Sequence, residues 1–114
     1  MVKHPKYQAM DSAREEILPE LIKEALRDKT ALDLMIQKPK YGPKRVGPKP
    51  RPTFLIVDKA TKEIWATFHP YGHYKCIMEE FEEDYQQIIH EAEEAAERAL
   101  KNYNEANKNY PRSM

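Results

Sequence analysis

TFLIVDKATKEIWATFH, residues 53–69, carries the plainest structural pattern in the chain. Thr53 to Asp58 and Glu63 to His69 carry alternating β-branched and aromatic residues on either side of the polar turn Lys59, Ala60, Thr61 and Lys62. That pattern predicts an antiparallel hairpin. On its second strand Ile64, Ala66 and Phe68 share one face, while Trp65 and Thr67 share the other beside Leu55 or Val57. Both faces are therefore apolar. A two-stranded ribbon is marginal by itself, so one face is expected to pack on helices and the other to meet a further helix, another strand or a second copy of the chain.

The flanks supply the helices. Upstream, Met10, Ala13, Ile17, Leu21 and Ala25 recur at spacings of three and four, and Leu18, Ile22 and Leu26 widen the stripe. Asp11 or Ser12 is placed to cap this helix. Pro19 predicts a kink, or a break with Pro19 in the first turn of a second helix, because it lacks a donor and crowds the carbonyl four residues earlier. Thr30 and Asp33 have the spacing of a capping box and predict a short turn through Ile36. Downstream, Pro70 and Gly72 close the hairpin. From about Tyr74, Ile77, Phe81, Tyr85, Ile88, Ala92, Ala96, Ala99, Tyr103 and Ala106 trace one helical stripe of roughly 30 residues. Its alanine-rich middle lets a partner helix approach closely, and the first helix is expected to lie antiparallel to it.

The expected architecture is α+β: an N-terminal helix or kinked helix pair, a proline-rich basic connector, one antiparallel β-hairpin and a long C-terminal amphipathic helix. Residues 1–114 are read as one domain, with 1–9 and 108–114 as flexible tails. At 114 residues the chain buries a modest core, and its 33% of charged residues points to helices with broad solvated faces.

The connector, residues 37–52, holds Pro39, Pro43, Pro48, Pro50 and Pro52 with Gly42 and Gly47 between them. No helix or central strand tolerates that density of prolines, so an extended, partly polyproline-like course is expected. It also carries half of a charge split that the net charge of zero conceals. Lys38 to Arg51 has six cations and no acid, whereas Glu79 to Glu97 has nine acids and no Lys or Arg. Lys38, Lys40, Lys44, Arg45, Lys49 and Arg51, with Tyr41 among them, are suited to a nucleic-acid backbone: point charges release counterions and a ring stacks on an unpaired base. A strap laid on the acidic helix, cancelling its charge, is the competing reading.

Two binding functions follow. The first is a small non-enzymatic regulatory or inhibitory protein that engages nucleic acid, or a nucleoprotein complex, through the basic connector. The second is an inhibitor of another protein, compatible with a viral or mobile-element origin. It would insert the acidic helix, through Glu79, Glu80, Glu83 and Asp84, into a basic groove in imitation of nucleic-acid phosphates. Trp65 is a candidate interface anchor, for a partner or for a homodimer.

Other classes find little footing. Only Gly42, Gly47 and Gly72 are present, so no glycine-rich phosphate loop can be built, and no nucleophile-and-base arrangement has supporting context. The reading is of a non-enzyme without cofactor. His69, His73, Cys76 and His90 match no zinc pattern, and no metal is expected. Cys76 is the only cysteine, which excludes an intrachain disulfide and suits a reducing compartment. Met1 to Met10 lacks the apolar run of a signal peptide, and no stretch approaches the length of a membrane span. A soluble, intracellular, cytoplasmic protein is the expectation.

Overall fold

Thr53–Asp58 and Ile64–His69 are strands, and they form the centre of a larger sheet than the hairpin alone. The computed structural model describes residues 5–39 and 50–108. In chain order the elements are helix α1 (Pro5–Ala25), strands β1 (Leu32–Gln37), β2 (Thr53–Asp58), β3 (Ile64–His69) and β4 (His73–Cys76), a single 3-10 turn (Glu79–Phe81) and helix α2 (Glu82–Lys108). The strands form an antiparallel meander in the order β1-β2-β3-β4. The class is α+β, as the sequence predicts.

Two strands were not expected. Leu32–Gln37 is a strand rather than a turn, paired with β2 from Leu32 opposite Asp58 to Gln37 opposite Thr53. The basic connector thus joins two neighbouring strands, and both of its ends stand at one end of the sheet. His73–Cys76 pairs with β3 as a second edge strand, and α2 begins at Glu82 instead of near Tyr74. The cause is the tight turn at Pro70 to Gly72, where the Gly72 amide donates to the His69 carbonyl at 2.9 Å and Gly72 takes φ +92°. That left-handed conformation suits glycine and returns the chain at once onto the sheet. Ile77, read as part of the helical stripe, lies just past β4 and is exposed.

The β2–β3 turn is built by Asp58, whose carboxylate accepts the Ala60 and Thr61 amides at 2.8 and 3.0 Å. Those two bonds, Thr61 first, hold its carboxyl below the usual carboxylate range. Lys62 completes the turn at φ 64°. Between Ile56 and Val57 the pairing slips by one residue, because Ile56 faces Ala66 but Val57 faces Ile64. Trp65 is the extra residue of this bulge. It does not share a face with Thr67 as strict alternation requires; it packs, half-buried, against the core beside Ala66 and Phe68.

Both helices cover the face bearing Phe54, Ile56, Ala66 and Phe68, and the core adds Leu18 and Ile22 from α1 with Phe81, Ile88 and Ala92 from the C-terminal region. The helices run antiparallel, since Arg14 meets Glu93 while Lys29, just past α1, meets Asp84. Pro19 does not break α1 into two helices: one helix spans Pro5–Ala25 with Pro19 inside. Complete burial of Leu18 and Ile22 on either side of it contributes about 2 kcal/mol apiece, enough to offset the ~3 kcal/mol cost of an internal proline. Pro5 to Ala9 belong to the first turns of α1 and are not a tail. No helix among the described residues is long and apolar enough to cross a membrane.

Candidate nucleic-acid interface

The cationic segment leaves the sheet after Gln37 and returns before Thr53, two residues that face each other in the ladder. Lys38 is exposed and has no ion pair among the described residues. Lys40, Tyr41, Lys44, Arg45 and Lys49 lie outside the described residues. Arg51 behaves differently from its neighbours in sequence. Its side chain is buried, and Nη1 donates to Glu15 Oε1 at 2.8 Å, which ties the returning arm to α1. Its guanidinium is committed to the fold, unlike the exposed side chain of Lys38.

His69 stands beside this root. Its Nδ1 accepts the Tyr71 amide at 3.1 Å, so the neutral ring carries its proton on Nε2, toward the Arg51 main chain. Burial, followed by the neighbouring His73, lowers its pKa below the ordinary value. The Arg51 main chain and Asp11 act in the opposite sense.

Behind the root lies a cluster that sequence reading did not foresee. Arg14 grips Glu93 with two bonds, Nε to Oε2 at 2.8 Å and Nη2 to Oε1 at 3.1 Å. Nη1 donates to Asp11 Oδ1 at 2.9 Å and reaches the Pro70 carbonyl at 3.4 Å. The Tyr74 hydroxyl donates to the same Glu93 at 3.2 Å. Asp11 and Ser12 do not cap α1, because the helix begins at Pro5 and both lie inside it, Asp11 being only 1% exposed. Burial and the Glu93 charge push the Tyr74 phenol up, keeping it protonated as a donor. Gly72 sits over the guanidinium, and a Cβ there would lie 3.6 Å from Arg14 Cζ. One arginine thereby joins α1, α2 and the β3–β4 turn. The only hint in the sequence was the i,i+3 spacing of Asp11 and Arg14, which is common on any helix surface.

The acidic residues singled out earlier gather at the other end of the sheet. Glu79, Glu80 and Glu83 are exposed and have no ion pair among the described residues, whereas Asp84 accepts Lys29 Nζ at 3.3 Å. Glu80 borders a hollow floored by Phe81 and Trp65. The Trp65 Nε1 is buried without a hydrogen-bond partner, and its carbonyl accepts the Ile77 and Met78 amides at 2.8 and 3.1 Å. The histidines and Cys76 are spent locally. His69 and His73 have ring centroids 6.2 Å apart, and Cys76 donates to the Met78 carbonyl at 3.3 Å. Burial and Glu82 push the Cys76 thiol up to about 11, so it is a protonated, unreactive group at neutral pH.

Comparison of the chain with family models, with curated proteins and with solved structures finds no match.

Proposed function

We propose that this chain is a non-enzymatic binding protein that engages nucleic acid, alone or within a nucleoprotein complex, through the cationic segment between β1 and β2. The observation that supports this reading is where the segment is rooted relative to the acidic start of α2. The segment is rooted where Gln37 meets Thr53, and the acids at the start of α2 gather at the end where Leu32 meets Asp58. Strands of six residues hold these ends about 17 Å apart, beyond the Debye length of physiological salt. Fluorescence anisotropy of a labelled single strand and a labelled duplex, titrated at several salt concentrations, tests the proposal. Lys44, Arg45 and Lys49 changed together to Ala should weaken binding and lower the salt slope by about two. Equal slopes for the variant and the wild type, or no binding of either probe, would remove it.

A second reading has its own support in Glu79, Glu80 and Glu83, exposed and without an ion pair among the described residues, which form an acidic edge at the start of α2. On this reading the chain occupies a basic groove of a target protein. Changing the three to Gln should then abolish capture of the target and leave oligonucleotide binding intact.

A further inference from the structure

A groove of about 470 Å³ runs between the C-terminal half of α1 and the exposed edge of the sheet. Its floor is apolar: Leu26 from the end of α1, with Leu32, Leu34 and Ile36 from β1. The helices stop short of this edge, so the core-facing side of β1 grades from Leu32, 6% exposed, to Ile36, 52% exposed. Its border is cationic. Lys23 and Lys59 line it, both exposed and without an ion pair among the described residues. Lys38 stands two residues beyond Ile36 at the far end. Lys29 also lines it but is held by Asp84.

We infer that this groove docks an acidic amphipathic helix of a protein partner, with apolar side chains on Leu34 and Ile36 and carboxylates toward Lys23 and Lys59. The floor selects peptide over nucleic acid, because aliphatic side chains offer a phosphate backbone nothing and, among the described residues, no aromatic ring lines it for a base to stack on. The edge selects helix over strand. Addition of a strand needs free main-chain donors along β1, but the Leu32 amide already donates to the Lys29 carbonyl at 3.1 Å and the Leu34 amide to Asp33 Oδ1 at 2.9 Å. With these two donors occupied, a partner reads the groove chiefly with its side chains. The lengths agree: Leu32 to Ile36 spans about 13 Å of strand, close to the roughly 11 Å between apolar residues i and i+7 of a helix. Asp33 is the one acid in the lining among the described residues, and its carboxylate is engaged with the strand.

The test is selection of a displayed library of helical peptides, about four turns long, against the full chain, followed by anisotropy titration of a recovered, labelled peptide. Recovered peptides should carry apolar residues at i, i+3 or i+4, and i+7 with flanking Asp or Glu. Lys23→Glu with Lys59→Glu should weaken binding about tenfold or more, and Ile36→Ser should do so independently, each variant being checked for an unchanged melting curve. The Lys44, Arg45 and Lys49 to Ala variant should bind the peptide as the wild type does, which separates this inference from the nucleic-acid reading. No enrichment, recovered peptides without the acidic and apolar pattern, or affinity indifferent to Lys23, Lys59 and Ile36 would overturn it. Displacement of the peptide by an oligonucleotide in the Lys44, Arg45 and Lys49 to Ala background would overturn it too, assigning the groove to nucleic acid.

Discussion

Arg14 and Lys23 lie nine positions apart on one helix and meet opposite fates. Arg14 is buried and matched by Glu93, Asp11 and the Pro70 carbonyl; Lys23 is exposed at the border of an apolar groove with no counter-charge among the described residues. The difference teaches how to sort the charges of a chain rich in them. Those that the fold has desolvated and paired are structural, and their removal should cost stability. Those it leaves in water and unpaired cost nothing to remove, and are the ones a ligand can use.

The largest expected effect therefore falls on the matched side. Arg14→Met should destabilise the protein by about 3 kcal/mol, because it takes the ion pair from the buried Asp11 carboxylate and frees Glu93 from α1. Urea unfolding followed by circular dichroism measures it, and Lys23→Met in parallel should lie within about 0.5 kcal/mol of wild type. A similar small cost for both would erase the distinction. Arg51 sharpens it inside the basic segment. Arg51→Ala should cost about 1 to 2 kcal/mol for a largely buried pair whose partner Glu15 is more open to water. Lys44, Arg45 and Lys49 changed to Ala should leave stability unaltered while weakening oligonucleotide binding. Gly72→Ala follows at about 1 kcal/mol. At 3.6 Å the new methyl makes ordinary contact with Arg14, so the cost is that of φ +92° alone. A larger loss, matched to that of Arg14→Met, would show that the turn and the arginine act as one unit.

The paired structural charges were the part that sequence could not display. Arg14 and Glu93 are 79 residues apart, and nothing local marks either as different from the many exposed acids and bases around them. Arg51 was read with its proline-rich neighbours for the same reason. The central hairpin was legible, since β-branched and aromatic alternation is strong on both sides of the Asp58 turn. So was the burial stripe that starts at Phe81 in the 3-10 turn and continues through Ile88, Ala92 and Ala96 of α2, all at helical spacing and buried. The two edge strands were hidden by competing patterns. Leu32, Leu34 and Ile36 alternate as a strand should, but Leu and Met are good helix formers and Thr30 with Asp33 imitates a helix start. Tyr74 and Cys76 also alternate, yet the strand is four residues long and runs straight into residues at helical spacing. The Trp65 bulge shifts one side chain across the sheet, and no local residue signals where such a slip falls.

The smallest effect concerns His69, which belongs to neither class: half-buried, hydrogen-bonded and titratable near neutral pH. Protonation puts a second proton on Nδ1, the atom that accepts the Tyr71 amide, and adds charge near His73 and Arg51. The folded chain therefore binds that proton less readily than the unfolded chain, whose histidines titrate near about pH 6.5. With the folded pKa below the unfolded one, the contribution to stability is complete above about pH 6.5 and is lost as pH falls through the folded value. His69→Asn retains an acceptor near the Nδ1 position but does not titrate. Urea midpoints measured on both proteins at neutral and mildly acidic pH isolate the histidine, because the carboxylates that also respond to acid are common to the two. The wild type should lose more of its midpoint on acidification than His69→Asn. Identical losses would mean that Asp11, close enough to stabilise the imidazolium, cancels burial and the His73 charge. The root of the basic segment would then carry a histidine as indifferent to folding as the lysines beyond it.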